Sequence, residues 1–488
     1  MCIRDNICFF CTICCEEKFP ASAHCGQSRA LLLRCFGHVQ SYTPSAAHTQ
    51  NTTLPRTASA DGNGAFCVLP QIISDVCFAK WRMLSKKLLV LVPVLLVLLS
   101  GCVKPEEMLR NPVLSDVEHI NSDVVIGVAL PLSGRYAVEG NEMLPGAKAA
   151  VDQLNNRRGV AGRRVRLEVC DTKSNPADAA AAVSTLAAKG ASVIIGGFST
   201  NETHGLVKAA PKAQVPLIIP CASSDDFSRS SGFVFRTGCT DTQMADGIAS
   251  YLWYWRQIRQ IGVLVDVRPS SEYERNISRS VAKSFSDLGG SVASSANYSD
   301  VASCVAAMKR VMAGGPQAIV VSAVGAEAAQ MVKALRKLGY TGVICGADGW
   351  EGSEFLHTLG KDFQPGECFF VSFFSKEYKD DEYSAFSEYF RKKYYHLPGA
   401  RAAAVRDAVF LACGSLVNVK NIKQFRRSWL AMQNFFGASS VYNPQKSGDV
   451  DRMLFINSII PSGIDGEYPS VRLIRGFMHS KLETYKMD

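Results

Sequence analysis

The sequence lacks the short motifs by which the common catalytic folds are known. No Gly-x-Gly-x-x-Gly follows a predicted strand, and neither a Walker-type Gly-Lys-Ser/Thr loop, nor Gly-x-Ser-x-Gly, nor His-Glu-x-x-His occurs. Nucleotide-dependent, hydrolase and zinc-protease chemistry lose their usual support, and we expect neither catalytic residues nor a cofactor. Histidine is scarce, with eight residues in 488. The five beyond residue 102, His119, His204, His357, His396 and His479, stand apart in the sequence, which argues for surface or hydrogen-bonded histidines rather than metal ligands. A marked charge of one sign is missing as well. The formal charge of +9 falls to 44 bases against 39 acids once residues 1–101 are set aside, too small and scattered an excess for nucleic-acid binding. Arg157/Arg158 and Arg163/Arg164, flanking a Gly-Val-Ala-Gly turn, read as solvated surface.

The composition is not that of a disordered chain: 47% of residues are apolar and 20% charged. A length of 488 residues is too great for one core, so two or three compact units are expected. Cysteine is unevenly spread, with nine of 17 before residue 80, one at Cys102 and seven beyond it.

Met83-Leu84-Ser85-Lys86-Lys87 forms a short basic segment, followed by twelve apolar residues, 88–99, and then Ser100-Gly101-Cys102. Basic, apolar and small residues in this order make a secretory signal. Twelve helical residues reach only about 18 Å against a hydrocarbon core of roughly 30 Å, which argues against a permanent span. Leu99-Ser100-Gly101-Cys102 resembles the lipobox of bacterial lipoproteins. That resemblance implies cleavage before Cys102, acylation of its sulfur and a lipid anchor in a membrane, inner or outer, each buried CH₂ adding about 0.8 kcal/mol. Residues 1–82 show no sustained periodicity. Cys8, Cys11 and Cys14 have dithiol spacing, but no second pair at zinc-ribbon spacing follows; a metal module is the alternative to our reading. We read 1–82 as a disordered upstream extension from a start chosen too early, 83–101 as the signal peptide and 102–122 as a polar tether.

From residue 123 short apolar runs alternate with longer helical periods. Runs 124–130, 165–170, 192–196, 215–219 and 233–236, with helices near 144–156, 176–189 and 203–213, make one set. Runs 261–265, 291–296, 318–322 and 343–346, with helices near 273–288, 301–313 and 325–338, make another. Such alternation implies α/β lobes whose parallel sheets are flanked by helices on both faces. Lobe 1 is expected over 123–241 and lobe 2 over 242–368, each completed by part of 373–488, where helices near 382–395 and 403–418 and a run at 453–456 are expected. Ligands of open α/β sheets sit at the carboxyl ends of the strands, where helix N-termini offer free N–H groups. Cys170 and Cys221 both end expected strands, and either a disulfide or simple burial suits them.

Ile126-Gly127-Val128-Ala129-Leu130-Pro131-Leu132-Ser133-Gly134 opens an ordered series of motifs. It continues with Gly146-Ala147 and Val151, Gly159-Val160-Ala161-Gly162, Asp171, Asn175-Pro176, Ile195-Gly196-Gly197-Phe198-Ser199-Thr200, and Phe235-Arg236-Thr237 with Asp241 and Gln243. In these motifs the chain resembles the periplasmic branched-chain amino-acid (Leu/Ile/Val) binding proteins. The resemblance implies a type I periplasmic-binding-protein fold, two Rossmann-like lobes hinged by three crossovers, here near 240–243, near 366–373 and in the C-terminal region. It implies no enzyme, but a protein that closes on a solute and hands it to an ABC permease.

The resemblance also carries site residues. Thr200 matches the family's carboxylate-binding serine, Cys221 by its backbone and Ser223 by its hydroxyl match the second such turn, and Asp348 matches the acid that meets the ligand's ammonium. Ser133 comes with the opening motif, and Tyr273 with Glu274 stands for the family's Tyr-Gly. Glu139 lies where relatives place an aromatic, which disfavours an aliphatic ligand and suits a basic or polar one. Val324 stands where many relatives have Tyr, and Ser174 and Ser199 where some form a disulfide. On the residues alone, Thr200 and Ser223 also suit helix N-caps, Asp348 a turn, and Trp350 either a lid over the ligand or a core position. The leading expectation is an exported, lipid-anchored solute-binding protein for an amino acid. A ligand-sensing or protein-interaction lipoprotein on the same fold is the alternative; for a sensor we expect a downstream membrane or signalling segment, and the residues up to Asp488 contain none.

Overall fold

The structure, a computed structural model, describes residues 123–480 apart from 362, 365, 379 and 462–467. The signal segment, Cys102, the upstream extension and the tether lie outside the described residues.

Strand β1 (Val124–Leu130) is buried along its whole length, as befits a strand at the centre of a sheet covered on both faces. It pairs in parallel with β2 (Val165–Asp171) and β3 (Val193–Gly196), and β4 (Leu217–Ile219) and β5 (Val234–Arg236) complete a five-stranded parallel sheet in the order β2-β1-β3-β4-β5. Helix α1 (Ala137–Asn156) packs on one face, and α2 (Pro176–Ala188) and α3 (Thr200–Ala213) on the other. Local chemistry starts these helices where it should. Asn175 accepts hydrogen bonds from the amides of Ala177 (3.1 Å) and Asp178 (2.9 Å), with Pro176 in the first turn, where its missing N–H costs nothing. Helix α1, expected from about residue 144, begins at Ala137 and runs through Pro145. A proline inside a helix withholds one N–H. Here the first turns are held instead by the Asn141 side chain, which donates to the carbonyls of Ala137 (2.6 Å) and Leu132 (3.2 Å).

The chain crosses from β5 to α4 (Asp241–Ser250), whose start is fixed by a reciprocal Thr240/Gln243 capping box and whose end continues as a π-helical turn, Tyr251–Trp255. A second sheet follows. Its parallel part, in the order β10-β9-β8-β6-β7, comprises β6 (Gln260–Asp266), β7 (Ser291–Tyr298), β8 (Ala318–Val320), β9 (Val343–Gly346) and β10 (Cys368–Ser372). Helices α4 and α5 (Glu272–Asp287) share one hydrophobic core with one face; α6 (Val301–Ala313), α7 (Gly325–Lys337) and α8 (Ser353–Leu359) pack on the other. Residues 366–373, expected as a crossover, mostly form β10. Five consecutive buried residues, Cys-Phe-Phe-Val-Ser, make a strand inside the sheet, and the chain leaves it only from Phe373.

Beyond it come α9 (Asp381–Tyr394), α10 (Ala400–Ser415) and α11 (Ile422–Ala431). Helix α10 returns to pack on α1. A Cβ on Gly146 would fall 2.1 Å from the carbonyl oxygen of Ala402, so glycine there lets the two backbones touch. The chain then passes through β11 (Phe435–Phe436) and β12 (Val441–Pro444) to β13 (Val450–Ile460), which joins β10 antiparallel and pairs with β14 (Ser470–Met478). All seven described cysteines are unpaired; Cys221 is buried and Cys170 partly so, the burial alternative rather than a disulfide. Among the described residues no helix is long and apolar enough to cross a membrane, and no group of three His, Cys, Asp or Glu could hold a metal ion.

Candidate functional site

Segments that leave the carboxyl ends of β1, β3 and β4 on one side, and β6, β8, β9 and β10 on the other, line a common cleft, closed at one edge by the start of α10.

The wall from the first sheet offers hydrogen-bond donors. Ser199, not Thr200, caps α3, its side chain accepting from the amide of Glu202 at 3.4 Å. Thr200 is thereby released: its hydroxyl is buried in the cleft wall with no hydrogen-bond partner among the described residues. Cys221, Ala222 and Ser223 follow β4 with no helix after them, so Ser223 is not an N-cap. Arg236 holds this loop by donating to the carbonyls of Ser223 (2.7 Å) and Ser224 (2.8 Å), and pairs with Asp449 at 2.9 Å. Burial raises the Cys221 thiol to about 12, so it stays neutral. Tyr136 enters the cleft because Ser174 accepts from its amide (3.0 Å) and donates to the carbonyl of Ser133 (2.8 Å).

The opposite wall is acidic. The phenol of Tyr273 donates to Asp348 Oδ1 at 2.6 Å, and the amide of Gly349 donates to the phenol oxygen at 3.0 Å. Burial lifts Asp348 to about 6, against the downward pull of Tyr273 and Arg401. Burial likewise holds Glu274 and Glu351 up to about 7. Glu272 meets His204 of α3 at 3.0 Å, a contact between the two walls. Arg401, from α10, is the one base lining the cleft; it donates to Glu142 (2.7 Å) and to the carbonyl of Glu351 (3.3 Å), and lies over the Phe198 ring.

Thr200, Cys221, Ser223, Tyr273 and Asp348 thus meet in one cavity, with Val324 beside them. Ser133 does not. Its hydroxyl and amide both donate to Asp171, which also accepts from Leu132 and Lys173, so Ser133 shapes the turn after β1. Glu139, on the first turn of α1, is half-buried but absent from the cleft lining; Tyr136 supplies the aromatic instead. Trp350 is not a lid. It is 1% exposed, stacks on Phe355 (centroids 4.8 Å apart) and occupies the space a side chain on Gly346 would need, all within the core of the second sheet. Sequence reasoning missed Phe198, Glu351, Phe373 and Arg401. The Glu272-Tyr273-Glu274 triplet at a helix start was a usable signal for the acidic wall; nothing local marks Arg401.

A model of the periplasmic binding protein family matches residues 123–417, more than half of the chain. The chain belongs to that family. Among similar proteins, the Leu/Ile/Val-binding protein homolog 1 of Brucella abortus is 25% identical over 169 residues, 34% of this chain and 45% of the relative. The chain thus spans about half the length of such curated relatives. Among solved structures, a leucine-binding protein of Thermotoga maritima covers 72% of this chain and 98% of its own at 23% identity and a TM-score of 0.63. A branched-chain amino-acid transporter substrate-binding protein of Streptococcus pneumoniae, in complex with isoleucine, covers 72% and 99% at 24% identity and a TM-score of 0.62. The structural likenesses establish the type I periplasmic-binding-protein fold.

Proposed function

We propose that this protein captures an amino acid or a similar small polar solute in the cleft, outside the cytoplasm, and delivers it to an ABC permease. The observation that carries the reading is the opposed chemistry of the two walls. An unpartnered, buried Thr200 hydroxyl in the first turn of α3 suits a carboxylate, since free N–H groups and the helix dipole favour an anion there. Asp348, oriented by Tyr273 across the cleft, suits an ammonium. A zwitterion satisfies both at once. The lipobox-like Leu99-Ser100-Gly101-Cys102 supports anchorage by acylated Cys102 in a membrane of the cell envelope, inner or outer. The Leu/Ile/Val-binding relatives support the amino-acid class without identifying the solute. Native mass spectrometry of the refolded, solute-stripped protein against an amino-acid panel, with thermal shift, tests the proposal. A ligand-sized mass increment and a raised melting temperature with at least one amino acid are expected; neither with any member would overturn it.

A further inference from the structure

Four acids, Glu272, Glu274, Asp348 and Glu351, line the cleft against the single base Arg401. Two have protein partners at hand: Glu272 faces His204, and Asp348 receives the Tyr273 phenol. The remaining two have no ion-pair partner in contact among the described residues. Glu274 is only 6% exposed and lines the cavity; its carbonyl accepts from Ser322 at 2.8 Å, but its carboxylate has only its own backbone amide and the more distant charge of Arg135 to offset burial. Glu351 gives its carbonyl to Arg401 and its carboxylate is hydrogen-bonded by Ser372, while its buried Oε2 has no hydrogen-bond partner among the described residues. Arg401 is committed to Glu142 at 2.7 Å. For both acids burial outweighs the pull of the nearby bases, and part of that cost is recovered when a cation arrives to pair with them in contact.

Resting on the amino-acid reading above, we infer that the solute carries a second cationic group: a basic amino acid, with Glu274 and Glu351 as the countercharge for its side chain. An aliphatic side chain would cover these acids and leave them unpaired. An acidic one would be repelled by them. The surrounding rings are compatible with the same ligand: Tyr136 and Phe198, with centroids 5.4 Å apart, line the cleft, and each already draws an arginine of the protein, Arg135 and Arg401, over its ring. Tyr136 lies close enough to Glu274 for that acid's charge to raise the phenol's pKa, so rings and acid border one volume.

The test is calorimetry on the full-length protein, unfolded and refolded to remove endogenous solute, with L-lysine, L-ornithine, L-arginine, L-leucine, L-glutamate and cadaverine. At least one basic amino acid is expected to bind about tenfold or more tighter than leucine and glutamate. Glu274→Gln and Glu351→Gln, each with a parental circular-dichroism spectrum, are expected to weaken that ligand by roughly thirtyfold, the usual result of deleting one partner of a buried charge pair. Leucine or glutamate bound as tightly as every basic amino acid would overturn the inference and leave the amino-acid reading standing. Basic amino acids bound equally well by both variants would overturn it too. Cadaverine, which lacks a carboxylate, bound as tightly as lysine would overturn the amino-acid reading itself, and no binding by any member would overturn both.

Discussion

Tyr273 and Asp348 join two elements of the second lobe at the cleft: the phenol from the first turn of α5 donates to the carboxylate that follows β9, at 2.6 Å. The bond fixes the carboxylate's direction without neutralising it, leaving its charge for a ligand. If an ammonium is that ligand, Asp348→Asn should weaken binding at least roughly thirtyfold, and Tyr273→Phe about three- to tenfold. The pH dependence has a definite sign. Burial places Asp348 near 6 in the empty cleft and only its ionised form attracts a cation, so its contribution to affinity should be full well above pH 6 and fall, by up to about tenfold per unit, as pH drops below it. The difference between parent and Asp348→Asn should shrink over the same interval. Calorimetry between pH 5 and 8 measures both, and equal affinity of the Asn variant at pH 8 would make Asp348 a turn residue.

Ser199 and Thr200, adjacent in sequence, divide two tasks. Ser199 caps α3, whereas the Thr200 hydroxyl is unused by the fold. Thr200→Ala should therefore cost about 1 to 2 kcal/mol of binding and little stability, while Ser199→Ala should cost about 1 kcal/mol of stability. Thermal melts and titration of both variants resolve the pair. A Thr200→Ala protein that melts early but binds normally would assign the hydroxyl to folding.

Glu202, on the same helix, has no solvent exposure; the Thr172 hydroxyl donates to its carboxylate at 2.6 Å and Ser199 also helps to hold it, while its second oxygen has no close hydrogen-bond partner among the described residues. Burial raises it from 4.5 to about 7. Because the folded-state value lies above the unfolded one, its contribution is fully present below about pH 4.5 and lost as pH rises through 7. Glu202→Gln keeps the acceptor for Thr172 and removes the ionisation. The variant should match the parent near pH 4.5 and exceed its stability by up to about 3 kcal/mol at pH 8. Denaturant titrations at the two pH values check this, and no gain at pH 8 would show that Glu202 ionises without cost.

Legibility in the sequence followed the range of the forces involved. The seven apolar residues of β1 and the Asn175-Pro176 helix start are local signals, and both elements fall where they were expected. Helices α4, α8 and α11 and strand β10 were not anticipated, and neither was the passage of α1 through Pro145, because packing rather than periodicity decides them. In the site, residues just beyond strand ends were legible because strand ends position them. Arg401 was not, since it reaches the cleft only because α10 comes back onto α1 from more than 240 residues away. Trp350 was misread for a related reason: the gap above Gly346 that accepts its ring exists only in three dimensions.

The lipobox reading makes a covalent prediction. Cys102 in the mature protein should be the first residue, with residues 1–101 removed and the mass raised by two or three acyl chains. Intact-mass analysis of protein from a bacterial envelope measures it, with Cys102→Ala as control, expected to retain the signal residues. An unmodified chain extending upstream of residue 102 would refute anchorage by this route.

Arg452, on β13, is wholly buried and makes one guanidinium serve all three passages between the sheets. It donates to the carbonyl of Thr237, just past β5 on the first passage (2.5 Å), and to that of Phe373, just past β10 on the second (2.9 Å). It also reaches the Ser439 hydroxyl at 3.3 Å on the third, and lies over the rings of Phe373 and Tyr442. Asp407 completes the arrangement by accepting from the amides of Ala438 and Ser439 and from the Tyr442 hydroxyl. Arg452→Met would preserve much of the volume but strand two buried carbonyls, each of which costs about 1 to 3 kcal/mol when left unpaired. The expected loss is therefore about 3 kcal/mol or more, measured by urea unfolding. Arg452→Lys should recover little of it, since a single ammonium cannot span carbonyls that a planar fork bridges. If lysine restored parental stability, the charge rather than the bridging geometry would be what the three passages require.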